Sequence, residues 1–153
     1  MRLAVQEVLH SSVTVEGKLI SEIGRGEMVL VGFNVNDNEK IIDKMIAKLL
    51  KLRIFPDDQN KTNWDISKIN GEILAVSQFT LYADLSEGNR PSFVNAMKPD
   101  EARKLFAYFQ EKLLSLYPKA KFGIFQADMQ VELVNDGPFT VILDSKELGY
   151  DGK

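Results

Sequence analysis

Residues 72–81 read Glu-Ile-Leu-Ala-Val-Ser-Gln-Phe-Thr-Leu, an apolar run that is followed at once by polar side chains. A continuous apolar run of this length, like Met28–Phe33 earlier in the chain, is typical of a strand that is buried on both faces. We therefore predict a strand over Glu72–Thr80. The segment Ser77–Leu81 lies at its end, and polar groups at the mouth of a buried strand are typical of small-molecule sites.

More strands and two helices are predicted on either side of this run. Apolar residues bounded by turns predict further strands at Leu3–Leu9, Val13–Val15, Leu19–Ile23, Arg53–Phe55, Phe122–Val134 and Phe139–Asp144. Asn38 is a suitable N-cap for a helix over Glu39–Leu52. Pro99 suits the first turn of a second helix, which Pro118 ends.

Many strands, few helices and tight turns between the early strands define the predicted fold class. We predict one α+β domain over residues 1–153, with a largely antiparallel, barrel-like β-sheet and two main helices packed outside it. Residues 146–153 are expected to form a frayed tail, because chain ends are poorly ordered unless they are held by other elements.

The composition is that of an ordinary soluble domain. The chain has 153 residues, a net charge of −3 and no cysteine. The lack of cysteine excludes disulfides, thiolate metal sites and cysteine nucleophiles. The negative charge argues against a protein that grips long stretches of nucleic acid, although not against one that grips an RNA end. No apolar run reaches the roughly 18 residues of a membrane span, so we expect a cytoplasmic protein without a membrane partner.

The segment after the buried run allows two interpretations. The hydroxyls of Ser77 and Thr80 either cap a turn or take part in catalysis. Thr80 as a nucleophile would need an adjacent base, and the chain's single histidine, His10, gives no obvious one. The backbone N–H groups of Phe79 and Thr80 are better candidates, because they could stabilise the oxyanion that forms when an ester is attacked.

Two other segments are candidate sites. Phe125 and Met129 are an even number of residues apart in the predicted strand, which places them on one face, either in the core or in a binding site. Gly137-Pro138 is a β-turn in the simplest interpretation, and composition alone favours a trans peptide bond. The acidic residues are scattered without metal-ligand spacing, so we expect neither a metal nor another cofactor.

Three segments together resemble the D-aminoacyl-tRNA deacylase (D-tyrosyl-tRNA deacylase) family. They are Ser-Gln-Phe-Thr-Leu at 77–81, Arg-Pro-Ser-Phe at 90–93 and Asn-Asp-Gly-Pro at 135–138. The resemblance covers nearly the whole chain. It implies a homodimeric hydrolase that cleaves the ester bond of D-aminoacyl-tRNA, with Ser77, Gln78, Phe79 and Thr80 at the catalytic site.

The resemblance also implies how the substrate is chosen. Gly137 and Pro138, joined by a cis bond, would reach into the partner subunit's site, where their carbonyl oxygens crowd the space of an L side chain. Glycine, which has no side chain, would pass. Phe125 and Met129 would surround the terminal adenosine of the tRNA, and the ribose 2′-OH would help to activate water.

Two positions depart from the pattern of the family, and two other functions stay open. Glu7 stands where the family commonly has an arginine that is thought to help hold the Gly-Pro loop, and Gln126 stands where a small residue is common. No role for Arg90 follows from the sequence. The main alternative function is a nucleic-acid-binding module without hydrolytic activity; a weaker one is an esterase for small acyl esters.

Overall fold

A computed structural model describes residues 1–151 of the chain. A 3-10 turn at Phe79–Tyr82 follows the strand Glu72–Ser77, with Gln78 between them. In the described part, none of the helices has the length and apolar character to cross a membrane. The elements are β1 (Arg2–Val15), β2 (Lys18–Ile23), β3 (Gly26–Gly32), α1 (Glu39–Leu50), β4 (Phe55–Pro56), β5 (Thr62–Trp64), β6 (Glu72–Ser77), α2 (Pro99–Leu116), β7 (Ala120–Phe122) and β8 (Met129–Asp144).

One 6-stranded sheet forms a nearly closed barrel. Its strands follow the order β2-β1-β3-β6-β7, and β8 pairs with β1. The first and last strands of this order, β2 and β7, approach each other: Ser21 Oγ of β2 donates to the Phe122 carbonyl of β7 over 2.7 Å. Lys121 Nζ donates to the Glu22 carbonyl over the same distance. The short hairpin of β4 and β5 lies outside this sheet.

The sheet is mixed, so the prediction of a largely antiparallel sheet was wrong. Strand β1 pairs antiparallel with β2, β3 and β8, as the tight turns suggested. Strands β3 and β6 are parallel, and so are β6 and β7. The cause is the connections: α1 lies between β3 and β6, and α2 between β6 and β7, and parallel neighbours need a long crossover of this kind. The prediction of an α+β domain with two main helices outside the sheet was correct.

The central strands β3 and β6 are buried on both faces, as their continuous apolar sequences predicted. Val29, Val31, Ile73 and Ala75 pack with the apolar faces of α1 and α2. The alternate residues Met28, Leu74 and Val76 pack with residues of β1, β2 and β8 on the inner side of the barrel. Because successive side chains of a strand point to opposite faces, one run of sequence serves both cores.

Several local predictions also differ from the structure. The predicted strand Glu72–Thr80 ends at Ser77, before the 3-10 turn, and the predicted strand Arg53–Phe55 is observed only as β4, Phe55–Pro56. The predicted strand Phe122–Val134 is interrupted: β7 ends at Phe122, residues 123–128 form a turn, and β8 begins at Met129. The expected frayed tail is instead folded back as far as Tyr150, whose amide donates to the Ser145 carbonyl over 2.8 Å. Leu148 and Tyr150 pack on the main core, which holds this segment in place. Gly152 and Lys153 lie outside the described residues.

Two glutamates lie directly opposite each other in the sheet, and we call them the acid pair: Glu7 of β1 and Glu27 of β3. Glu27 is 0% exposed, and neither of its carboxyl oxygens has a hydrogen-bond partner among the described residues. Burial, followed by the nearby charge of Glu7, raises the pKa of Glu27 to about 8. Burial also raises the pKa of Glu7 to about 7. Both groups therefore favour the protonated form in the folded protein.

The acid pair predicts that the protein loses stability as pH rises. Between the ordinary carboxyl pKa of 4.5 and the folded value of about 8 for Glu27, the folded state holds a proton that the unfolded chain has released. The free energy of unfolding should then fall by up to about 1.4 kcal/mol per pH unit for such a group. Glu27→Leu should remove this part of the slope and raise stability at about pH 8 by at least ~1 kcal/mol.

Urea unfolding at several pH values measures both effects. Glu132→Leu is the matched control, because Glu132 is an exposed glutamate on a strand and its replacement should leave the slope as it is. A wild-type stability that does not change between about pH 5 and pH 8 would contradict the prediction.

Candidate active site

A cavity of about 700 Å³ opens at the carboxyl ends of β3 and β6. The amino end of α2 closes one side of it, and the turn between β7 and β8 closes another. Apolar side chains supply most of the wall. The lining residues are Val31, Phe33, Val76, Ser77, Gln78, Phe79, Phe93, Ala96, Met97, Lys98, Pro99, Ala102, Phe125, Gln126, Ala127, Asp128, Met129 and Val131.

Part of the segment after β6 lines the cavity. Ser77, Gln78 and Phe79 line the wall, whereas Thr80 does not. The segment is held by the Gln78 amide, which donates to the Val31 carbonyl over 2.7 Å. A Cβ on Gly32 would lie 2.9 Å from the Gln78 carbonyl oxygen, so only glycine lets the segment pack this closely over β3.

The first two amides of the 3-10 turn have no acceptor in the described part of the chain. The turn begins at Phe79, and the hydrogen bonds of its backbone start with the Leu81 amide, which donates to the Gln78 carbonyl. The N–H groups of Phe79 and Thr80 precede that bond, as expected for the unpaired donors at a helix start. The Thr80 hydroxyl accepts a hydrogen bond from the Gln78 side-chain amide, and an amide donor is not a base that could activate it.

Phe125 and Met129 both line the cavity, although the reason given for placing them together was wrong. Phe125 lies in the turn and not in a strand, and only Met129 belongs to β8. The turn is fixed to α2 by Arg103, whose guanidinium carbon lies 4.9 Å from the centre of the Phe125 ring. Arg103 also donates to the Gln126 side chain. The aromatic face and the thioether thus share one wall for a reason of tertiary packing.

The loop between the 3-10 turn and α2 supplies four cavity residues for which the sequence predicted no role in the site: Phe93, Ala96, Met97 and Lys98. Phe93 packs edge-on against Phe79, with ring centres 4.9 Å apart, while Phe79 is 57% exposed. Phe93 belongs to the Arg-Pro-Ser-Phe segment, so the motif was a usable signal. Lys98 is the one basic residue among the described lining residues, and it immediately precedes α2. Arg90 is exposed and does not line the cavity.

Gly137 and Pro138 lie outside this chain's own cavity, in a bulge of β8. The pair Gln6–Thr140 is followed by the pair Val8–Asn135, so the residues Asp136–Phe139 face Glu7 alone. We call these residues the 136–139 bulge. Its peptide bond between Gly137 and Pro138 is cis, as the resemblance implied and against the expectation from composition.

The Asn135 side chain closes the base of the 136–139 bulge. Its Oδ1 accepts from the Phe139 amide at 2.8 Å, and its Nδ2 donates to Thr140 Oγ1 at 3.0 Å. Asp136, Gly137 and Pro138 are exposed. The bulge is therefore a closed loop that projects from the sheet with its tip accessible.

Comparison with known proteins identifies the family of this chain. A sequence model of the family described as D-Tyr-tRNA(Tyr) deacylase matches residues 4–144. A D-aminoacyl-tRNA deacylase of Sulfurihydrogenibium sp. (strain YO3AOP1) is 49% identical over 148 residues, which cover 97% of this chain and 100% of the relative. A D-aminoacyl-tRNA deacylase of Lactobacillus helveticus (strain DPC 4571) is 46% identical over 144 residues, which cover 94% and 99%.

Two solved structures share the fold. One, described as a c-Myc DNA unwinding element binding protein, has a TM-score of 0.90 and 41% identity and covers 94% of this chain and 98% of its own. Another, described as a probable eukaryotic D-amino acid tRNA deacylase, has a TM-score of 0.83, with 17% identity and coverage of 93% and 97%. As the three sequence segments implied, the chain belongs to the D-Tyr-tRNA(Tyr) deacylase family and is an ester hydrolase of the D-aminoacyl-tRNA deacylase class.

Proposed function

We propose that this protein acts as a cytoplasmic homodimer that hydrolyses D-aminoacyl-tRNA to free tRNA and the D-amino acid. It also clears glycine from mischarged tRNA and spares L-aminoacyl-tRNA, so it serves as a chiral proofreading enzyme in translation quality control. The observation that carries the proposal is the cavity of about 700 Å³, which brings Ser77–Phe79 and Phe125–Met129 to one place. Its size suits a nucleoside that carries one amino acid.

The acceptor end of the tRNA binds along the wall that the turn and α2 form. Phe125 offers an aromatic face to the terminal adenine, and stacking of this kind contributes about 1–3 kcal/mol per base. Met129 adds a polarisable thioether beside it. Lys98 and the start of α2 lie at the same side of the cavity, where a cation and a helix amino terminus favour a phosphate.

The chemical step depends on the amides at the start of the 3-10 turn. The oxygen of a water molecule bonds to the ester carbonyl carbon, and the Phe79 and Thr80 amides stabilise the negative charge that develops on the carbonyl oxygen. Collapse of this intermediate breaks the bond to the ribose oxygen, which leaves with a proton. The ribose 2′-OH helps to activate the water, while Ser77 and Gln78 shape the pocket. Positioning an already reactive ester supplies much of the rate.

The 136–139 bulge selects between the enantiomers by excluding one of them. We call this function of the bulge the chirality filter. Its tip at Gly137 and Pro138 is exposed and does not reach the cavity of its own chain, which leaves it available to a partner subunit. Main-chain oxygens at this tip occupy the space that an L side chain would need. A clash with the wrong substrate gives specificity without any contact to the right one, and glycine has nothing to clash.

The second candidate function is nucleic-acid binding without hydrolysis. One structural neighbour is described as a DNA-element binding protein, and its fold agrees closely with this one. The Phe79 amide supports the hydrolase, because it has no acceptor among the described residues, belongs to a residue that lines the cavity and could stabilise a developing negative charge.

A panel of esters should separate these functions. We expect release of the amino acid from D-aminoacyl-tRNA and from glycyl-tRNA, with L-aminoacyl-tRNA released at least about a hundredfold more slowly. A small aryl ester should not be hydrolysed, since it lacks the nucleotide that the cavity wall binds. Equal release of both enantiomers would contradict the filter, and no release with retained RNA or DNA binding would support the second candidate.

Substitutions of Thr80 should show whether its backbone amide or its hydroxyl takes part in the reaction. We expect Thr80→Ser and Thr80→Val to keep turnover within about tenfold of the wild type, equivalent to about 1.4 kcal/mol in activation free energy. Thr80→Val keeps the branched shape beside the amide, and Thr80→Ser keeps the partner of Gln78. Single-turnover rates with D-aminoacyl-tRNA measure this. If only Thr80→Ser remains active, the hydroxyl is the chemical group and the proposed mechanism is wrong.

Gly137→Ala should weaken the rejection of the L-enantiomer. Gly137 has a φ of +128°, and a Cβ there would lie 3.0 Å from the Phe139 amide nitrogen, so the tip of the bulge must shift. We expect L-aminoacyl-tRNA hydrolysis to rise about tenfold or more while the rate with the D-substrate is kept. Gly17→Ala is the control, because Gly17 also has a positive φ but has nothing within 4 Å of an added Cβ.

Mixed dimers test whether the filter acts across subunits. Ala127 lines the cavity, so Ala127→Trp should close the cavity of its own subunit. When Ala127→Trp and Gly137→Ala are in different subunits, the open cavity faces an intact bulge and L-rejection should be kept. When both changes are in one subunit, the open cavity of the wild-type partner faces the altered bulge and L-hydrolysis should appear. The reverse pattern would place the filter within one subunit.

A further inference from the structure

The acid pair lies at the base of the loop that carries Gly137 and Pro138. Glu7 is the single residue of β1 opposite the 136–139 bulge, and it is 7% exposed. On the other edge of β1 the same residue is paired with Glu27. Glu7 thus lies between the 136–139 bulge on one side and the buried Glu27 on the other.

In this arrangement the buried Glu27 carboxyl has no hydrogen bond from the described residues to stabilise a negative charge. A buried charged carboxylate is costly unless it is paired or hydrogen-bonded, and both Glu27 oxygens lack a partner among the described residues. Protonation of a carboxyl of the acid pair removes the charge whose burial is costly. Two carboxyls in such proximity titrate as a pair and not as independent groups.

The charges around the pair come from several elements and are mostly negative. Glu7 lies opposite Glu27 across the strands. Burial and the Asp136 carboxylate of the bulge raise the pKa of Glu7, and Arg25 of the turn before β3 is a nearby cation that lowers it. Glu27 senses Glu7 and also Asp65, and the Tyr117 hydroxyl is near enough to be affected by Glu27. When Glu7 is ionised, its charge therefore repels Asp136 at the base of the bulge.

We propose that Glu7 is a positioning residue for the chirality filter: its protonated carboxyl, backed by Glu27, holds the 136–139 bulge in place, and its ionisation loosens the bulge through repulsion of Asp136. This inference rests on the proposed role of Gly137 and Pro138 in rejecting L-substrates. Its consequence is that discrimination between enantiomers weakens as pH rises through neutrality, while the amides of the cavity continue to support the chemical step.

The test compares the rates on D- and L-aminoacyl-tRNA over a pH series for the wild type, Glu7→Gln and Glu27→Gln. For the wild type, we expect the ratio of the D-rate to the L-rate to fall about tenfold between about pH 6 and pH 9. Glu7→Gln should keep the ratio of the wild type at low pH throughout the series. Glu27→Gln should leave the midpoint of the fall near that of the wild type, because Glu27 is still protonated when Glu7 ionises and its replacement by a neutral amide removes no charge from beside Glu7. The substrate's own ionisation is the same in all three series and cancels in the comparison.

Hydrogen exchange of the peptide that covers 135–140 gives a readout that does not depend on activity. In the wild type its exchange should accelerate with pH by more than the intrinsic chemical rate, and in Glu7→Gln by the intrinsic rate alone. A wild-type ratio that is flat with pH, or a Glu7→Gln profile equal to that of the wild type, would overturn the inference. If Gly137→Ala leaves L-rejection intact, the filter itself fails; if it releases L-hydrolysis while the wild-type ratio is flat, only the role of Glu7 fails.

Discussion

The parallel pairing of β3 with β6 is the constraint on which the site depends. Parallel neighbours place their carboxyl ends at the same edge of the sheet, so Phe33 and Ser77 arrive together. The crossover helices that parallel strands need must cover one face, and α2 begins at that same edge with Lys98 and Pro99. Ligands of α/β sheets bind at the carboxyl ends of strands for this geometric reason, and the cavity here follows the same rule.

The sequence was sufficient for the parts of the fold that local patterns determine. The apolar runs of β3 and β6 predicted strands buried on both faces, and the N-cap at Asn38 was confirmed by its side chain, which accepts from the Ile41 amide. The predicted strand directions were wrong because the antiparallel pairing that the tight turns of the first strands indicated was assumed for the whole sheet. The helix between β3 and β6 was itself the signal for a parallel pair.

The site was partly predictable, since its residues come from separate parts of the chain. Ser77, Gln78 and Phe79 line the cavity because the strand before them ends there. Phe125 reaches the same wall through a turn in which Gln126 has a φ of +64°, a conformation that no apolar periodicity indicates. Lys98 and Phe93 join the wall only because their loop folds back over β3, where the Met97 amide donates to the Phe33 carbonyl. Long-range contacts of this kind leave no local sequence pattern.

The structure keeps the proposed chemical groups and the proposed selecting groups on different elements, and this separation has a physical reason. Amide donors that stabilise an oxyanion act on the carbonyl, which is the same group in both enantiomers, so they supply rate without handedness. Discrimination must come from the other substituents of the α-carbon, and a rigid obstacle excludes one of them without binding the other.

Such an obstacle needs a fixed base, which the Asn135 side chain provides at both ends of the bulge. The two buried acids beside that base are expected to lower stability as pH rises, and functional sites are where a fold commonly retains residues that oppose its stability. The acid pair is thus better explained by the proposed role of the 136–139 bulge beside it than by packing in the core.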